Sequence, residues 1–125
     1  MKEIISTQAA PAAIGPYSQA VRADGLVFIS GQIPVNPATG RIEAQGVEAQ
    51  TEQSLRNLGA ILQEAGMDYV NVLKTTVYMT DMADFAAMNG VYARYFADKA
   101  PARSAVAVKD LPKGALVEIE AIAAQ

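Results

Sequence analysis

The chain contains no cysteine and no histidine. These two absences remove thiol nucleophiles, disulfides, serine–histidine–aspartate triads and the usual zinc-ligand sets. They also remove the side chain that most often moves protons near neutral pH. Any chemistry must therefore come from Arg, Lys, Glu, Asp, Tyr, Ser, Asn, backbone groups or water. There is no Gly-x-Gly-x-x-Gly or Walker lysine loop, and no run of basic residues. With 10 Lys and Arg against 13 Asp and Glu, the net charge of −3 argues against a broad nucleic-acid-binding face. No apolar stretch approaches the ~18 residues of a membrane-spanning helix, and the amino terminus lacks an apolar signal core. The expectation is a soluble cytoplasmic protein that engages neither membrane nor nucleic acid.

What is present is apolar. Hydrophobic residues make up 51% of the 125 and charged residues 18%, a balance that fits one globular domain over residues 1–125. That length buries a core without staples. It also leaves apolar surface to spare, which points to an oligomer.

Residues 2–7 form a short edge strand through Ile4 and Ile5. Residues 9–16 follow as a loop, since two prolines and a glycine deny it helix or ladder. Residues 17–22 and 26–30 read as strands joined by Asp24-Gly25, a two-residue hairpin signal for a type I′ turn. This register sets Val21 against Phe28 and Gln19 against Ser30, with Tyr17 just beyond. Gly31 marks a bulge, a close approach or a simple strand end.

Val47, Thr51, Leu55, Leu58, Leu62 and Ala65 recur at helical spacing, and Gly66 stops the helix. Residues 70–79 read as a long strand in which Lys74 is out of place, as suits an edge or a subunit contact. Asp81 caps a second helix whose stripe is Phe85, Met88, Tyr92 and Tyr95/Phe96, with Asn89 in mid-helix.

Two further strands give the order β, β, β, α, β, α, β, β. The expected fold is α+β, a mixed β-sheet with both helices packed on one face. Its other face must be polar or covered. Tyr17, Val21, Val27, Ile29 and Val72 are apolar enough to favour burial between chains.

Residues 100–108 run from Pro101 through Arg103 into small and β-branched residues. Arg103 presents five donors in a planar fork, which matches a carboxylate or phosphate. In residues 115–122, Val117, Ile119 and Ala121 point one way and Glu118, Glu120 and Ile122 the other. If residues 109–114 make a simple hairpin, Arg103 lies opposite Glu120. One reading is a cross-strand ion pair on a wet face. The other is a carboxylate-binding cation beside a carboxylate base.

These stretches together resemble the Rid family, the reactive intermediate deaminases also called YjgF or L-PSP proteins. The resemblance lies in Ala13-Ile14-Gly15-Pro16-Tyr17-Ser18-Gln19-Ala20, Phe28-Ile29-Ser30-Gly31-Gln32-Ile33-Pro34 and Lys74-Thr75-Thr76-Val77-Tyr78-Met79. It continues in Pro101-Ala102-Arg103-Ser104 and Val117-Glu118-Ile119-Glu120-Ala121-Ile122-Ala123, and so covers essentially the whole chain. It points to the archetypal deaminase branch.

The resemblance implies a chorismate-mutase-like domain and a homotrimer with sheets inward and clefts between subunits. It implies hydrolysis of 2-imino acids and their enamine tautomers, 2-iminobutanoate and 2-iminopropanoate, to 2-oxo acids and ammonia. These arise from pyridoxal-phosphate dehydratases, and the hydrolysis itself needs no cofactor or metal. By the same resemblance Arg103 grips the substrate carboxylate and Tyr17, Ser30, Gly31 and Asn89 line the cleft. Glu120 positions or deprotonates the attacking water. Many relatives carry cysteine two positions after the arginine; here Ala105 stands there, which closes any thiol route.

Three rivals remain at this point; one, a chaperone-like interaction through apolar surface, fits the composition but has no particular residue behind it. The same cleft would serve a module that binds or senses a small carboxylic or oxo acid without turnover. Some members of the family are described as ribonucleases or translation inhibitors, and the acidic balance and missing histidine speak against that here.

Overall fold

Asp24 and Gly25 adopt φ of +51° and +78°, the double positive φ of a type I′ turn. They join β2 (Ala20–Ala23) to β3 (Leu26–Gln32), with Val21 opposite Phe28 as the sequence predicts. The structure is a computed structural model and describes residues 1–125. A short edge strand, β1 (Glu3–Ile5), pairs with β2. Helix α1 (Gly46–Glu64) buries Val47, Thr51, Leu55, Leu58 and Leu62, the predicted stripe, and Gly66 turns the chain away at φ +76°. β4 (Val72–Met79), α2 (Phe85–Tyr95), β5 (Ala102–Ala107) and β6 (Val117–Ala124) complete the fold. No helix is long and apolar enough to cross a membrane.

The six strands lie in the order β1-β2-β3-β6-β4-β5. β4 and β5 are parallel, joined through α2; the other neighbours are antiparallel. One face of this mixed sheet meets both helices. Val27, Ile29, Val72, Val77, Met79, Val117, Ile119, Ala121 and Ala123 form with Leu55, Leu58, Ile61, Leu62, Met88 and Val91 one contiguous core. Glu118, Glu120 and Ile122 alternate onto the opposite face, as expected of a half-buried strand. Phe28 and Val106, each 44% exposed, lie on that bare face, as their register to Ile122 and Tyr78 requires.

Four sequence expectations are corrected. β5 and β6 are not a hairpin: β6 enters between β3 and β4, while β5 takes the sheet edge beside β4. The reason is apolar content. β6 carries four inward residues at most 3% exposed, which need cover by the helices, whereas β5 is small and largely exposed. Lys74 is consequently not on an edge, since β4 is flanked by β5 and β6. Val27, Ile29 and Val72 lie beneath the helices, leaving Val21 on the bare face opposite Phe28. For Val72 the cause is an irregularity between Val72 and Lys74, which leaves Leu73 unpaired and shifts the alternation by one.

Finally, residues 17–19 and 70–71 are not strand. Tyr69–Asn71 is a 3-10 turn capped reciprocally by Asp68 and Asn71. A similar turn, Met82–Asp84, precedes α2, and its cap is Asp81, whose carboxylate accepts from the Ala83 amide.

Candidate active site

The bare face carries a groove of about 830 Å³ beside the ends of β3 and β6. Ser30, Gly31, Glu118 and Glu120 lie in its floor, and Tyr17 stands in a wall. A second, smaller cavity of about 340 Å³ shares Ser30 and Glu120 and continues towards Lys74 and Thr76. The sequence-predicted residues Tyr17, Ser30, Gly31 and Glu120 are thus brought together.

The pairing of β3 with β6 slips between Ile29 and Gln32, so Ser30 and Gly31 fall in a bulge. Gly31 is also a close approach: a methyl group there would collide with the Glu118 carboxylate. Ser30 is fixed from both sides. Its hydroxyl donates to the Ser18 carbonyl at 2.6 Å, and its amide donates to the Gln19 carbonyl at 2.9 Å.

Glu118 and Glu120 share this face because they are two residues apart on one strand. Burial, and after it the neighbouring Glu120, hold the Glu118 carboxyl above the usual carboxylate range. Tyr78, opposite Glu118 on β4, donates to Glu120 Oε2 at 3.2 Å. That bond orients the Glu120 carboxylate, and burial and Glu120 together raise the Tyr78 phenol.

Arg103 and Asn89 are elsewhere. Arg103 pairs with Thr75, whose side chain faces the helices, so Arg103 faces them too. Its Nη1 donates to Asn89 Oδ1 at 2.7 Å. Its guanidinium carbon stands 4.7 Å from the ring centre of Tyr92 and 5.4 Å from that of Phe85. Such stacking holds the fork by cation–π attraction. Tyr92 is in turn tied to Thr75 by a buried hydroxyl pair at 2.7 Å. The tip of Arg103 is therefore set by three residues of α2, at the open edge of the sheet. Within one chain the cation and Glu120 do not meet.

Sequence reasoning missed Glu118 as a groove residue, although its spacing from Glu120 places it on the same face. It also treated Phe85 and Tyr92 as core alone, and no spacing rule shows that a cation stacks on them.

Residues 7–125 match the protein family described as endoribonuclease L-PSP. The chain belongs to this family. A RutC family protein of Pyrococcus horikoshii is 55% identical over 98% of both chains. The mouse protein named 2-iminobutanoate/2-iminopropanoate deaminase is 51% identical over all of this chain and 93% of its own. Among solved structures of L-PSP-like chains, Escherichia coli TdcF with bound serine superposes with a TM-score of 0.94 at 48% identity, covering 98% of each chain.

Proposed function

We propose that this L-PSP protein hydrolyses 2-imino acids and their enamine tautomers, such as 2-iminobutanoate and 2-iminopropanoate, to 2-oxo acids and ammonia. The observation that carries the reading is the full-length similarity to proteins named for that activity, 51% in the mouse case. The chain's inventory agrees with it. An imine reacts with water unaided, so orientation and charge stabilisation suffice without a covalent nucleophile.

In this reading Arg103 grips the substrate carboxylate through two parallel N–H bonds, with Asn89 holding the fork. Glu120 holds a water on the other side of the imine carbon and takes its proton as the C–O bond forms. Glu120 returns that proton to the nitrogen. The new hydroxyl then gives up its own proton to the nitrogen as it becomes the carbonyl, the C–N bond breaks, and ammonia leaves with both protons of the water while the oxo acid remains. Tyr17, Ser30 and Gly31 shape the space between. General-base help of this kind adds roughly 10²–10⁴-fold.

Because Arg103 and Glu120 lie on opposite faces of one sheet, the proposed site joins Arg103 and Asn89 of one copy to the groove of the next. A homotrimer with sheets inward provides three such clefts, since a head-to-tail contact closes into a ring. Ile4 at 52% exposure, Phe28 and Val106 on the bare face, and the unpaired edge of β5 support burial between copies. Pyridoxal-phosphate dehydratases acting on threonine or serine supply the substrate in the cytoplasm.

A second reading, binding of a small carboxylic acid without turnover, draws on the relative crystallised with bound serine. One experiment separates them. Iminobutanoate is generated in place from threonine by a dehydratase, and the appearance of 2-oxobutanoate is followed with and without the protein. Acceleration that Arg103→Ala abolishes supports the deaminase. No acceleration, with 2-oxobutanoate binding intact in calorimetry, leaves the binding module.

A further inference from the structure

The floor of the groove is sheet, but its walls are irregular chain, and buried side-chain amides tie that chain and the segments next to it to the rest of the fold. Asn57 on α1, 1% exposed, donates to the carbonyls of Ile33 at 3.2 Å and Val35 at 2.9 Å. Gln50 on α1 accepts from the Leu116 amide at 2.8 Å and donates to the Ala44 carbonyl at 3.2 Å.

The wall formed by residues 6–19 depends on Gln19. Its Oε1 accepts from the Thr7 amide at 2.7 Å. Its Nε2 donates to the carbonyls of Thr7, Ala10 and Pro11 at 3.0, 3.3 and 2.8 Å. Gln19 is 3% exposed, so none of these bonds is readily replaced by water. The segment has little else to hold it. It has no ladder partner between β1 and β2, it contains Pro11, Gly15 and Pro16, and only Ala10 and Gln19 within it are buried.

This wall carries Pro11, Ala12, Ile14 and Tyr17 into the groove. The same Gln19 reaches the floor, because its carbonyl accepts from the amide of Ser30 at 2.9 Å. Beside the Ser30 hydroxyl's bond to the Ser18 carbonyl, this makes Gln19 the residue that both holds the wall together through its side chain and ties it to the floor through its backbone. We infer that Gln19 is a positioning residue of the site, setting where Tyr17 and its apolar neighbours stand over Ser30, Gly31 and Glu120.

The inference rests on the deaminase reading for its substrate, and the test keeps the two apart. Gln19→Ala and the nearly isosteric Gln19→Glu are assayed with freshly generated iminobutanoate, well below their melting temperatures. A misplacement of about 1 Å is enough to cost on the order of 10²-fold, so kcat/KM of Gln19→Ala falls by roughly 10- to 100-fold, mostly through KM.

Gln19→Glu adds a readout that a purely structural role does not move. Its carboxylate still accepts from Thr7 but sets negative charge against three carbonyls, and protonation returns one donor. Its kcat/KM relative to wild type rises as pH is lowered from 7 to 5, while the ratio for Gln19→Ala stays flat. Tyr17 on the wall, Glu118 and Glu120 on β6 and Lys113 share the groove, are common to all three proteins and cancel in the ratio. Variants that melt earlier yet keep wild-type kcat/KM, with flat ratios, overturn the inference.

Titration with 2-oxobutanoate gives the reading that needs no turnover. If wild type binds it without accelerating hydrolysis, the deaminase reading falls and Gln19 stands only if Gln19→Ala weakens binding at least ~10-fold. If wild type neither binds nor turns over, both fall.

Discussion

Arg103 and Glu120 are separated by β4 and point to opposite faces of the sheet: Thr75 is paired to the first and Thr76 to the second. The two backbones are about 10 Å apart, two strand spacings, and no rotamer brings the side chains together through a packed sheet.

Subunit complementation follows. Arg103→Ala and Glu120→Ala homo-oligomers are each nearly inactive. Unfolded together and refolded at equal ratio, they regain about a quarter of wild-type activity, the share of head-to-tail contacts that join an intact Arg103 to an intact Glu120. A mixture no more active than its parts refutes a site built between copies.

Arg103→Lys keeps the charge and still fails. A lysine ammonium is a point charge that cannot donate in parallel to a carboxylate while stacking on Tyr92 and bonding Asn89. KM rises by roughly 10-fold or more, the worth of one charge-assisted hydrogen bond. Steady-state kinetics on iminobutanoate checks it, and a KM within error of wild type contradicts the assigned role.

Glu118 makes stability depend on pH. Its folded carboxyl titrates above the ordinary value of 4.5, first through burial and then through Glu120. As pH rises past that value the unfolded chain releases this proton first, so the folded state loses ground until the folded carboxyl also ionises. Glu118→Gln removes the effect. The stability gained by the variant is absent below about pH 4.5 and grows with pH until Glu118 is fully ionised, as urea titrations across pH 4–8 would report. A gap that is constant across that range contradicts the shift.

Tyr69 and Gly59 form a tight contact between α1 and the lead-in to β4. The Tyr69 hydroxyl donates to the Leu55 carbonyl at 2.6 Å, and any side chain at Gly59 would run into that phenol. Gly59→Ala therefore destabilises by about 1–3 kcal/mol, although alanine is the better helix former. Tyr69→Phe costs about 1 kcal/mol for the lost bond. Burial pushes the Tyr69 phenol up to about 12 from 10.0, so its contribution is whole below pH 10 and is lost as pH rises towards 12. The stability gap between wild type and Tyr69→Phe closes over that interval; an unchanged gap would contradict the assignment.

Much of this architecture could be read from residues alone. Asp24-Gly25 set a hairpin and its register, the stripe from Val47 to Leu62 set α1, and alternation placed Glu118 and Glu120 on one face. These signals are local, and neighbouring residues decide them. Which strand lies beside which is not local, and the β5–β6 hairpin failed for that reason. The irregularity at Leu73 carries no glycine or proline to announce it, so the inward position of Val72 was hidden. Residues 17–19 looked like strand because a glutamine amide can stand in for a ladder without altering the pattern. The resemblance in the Tyr17, Ser30–Gly31, Arg103 and Glu120 segments named the candidate site residues; it did not reveal that one chain holds them on two sides.

β6 follows every other strand in chain order and yet sits in the middle of the sheet. During synthesis the β1–β2–β3 and β4–β5 pieces must wait, each with an open edge, until residues 117–124 leave the ribosome. The keystone strand is the last of the six to emerge, so until it does the nascent chain carries open edges of the kind most prone to pair with another copy.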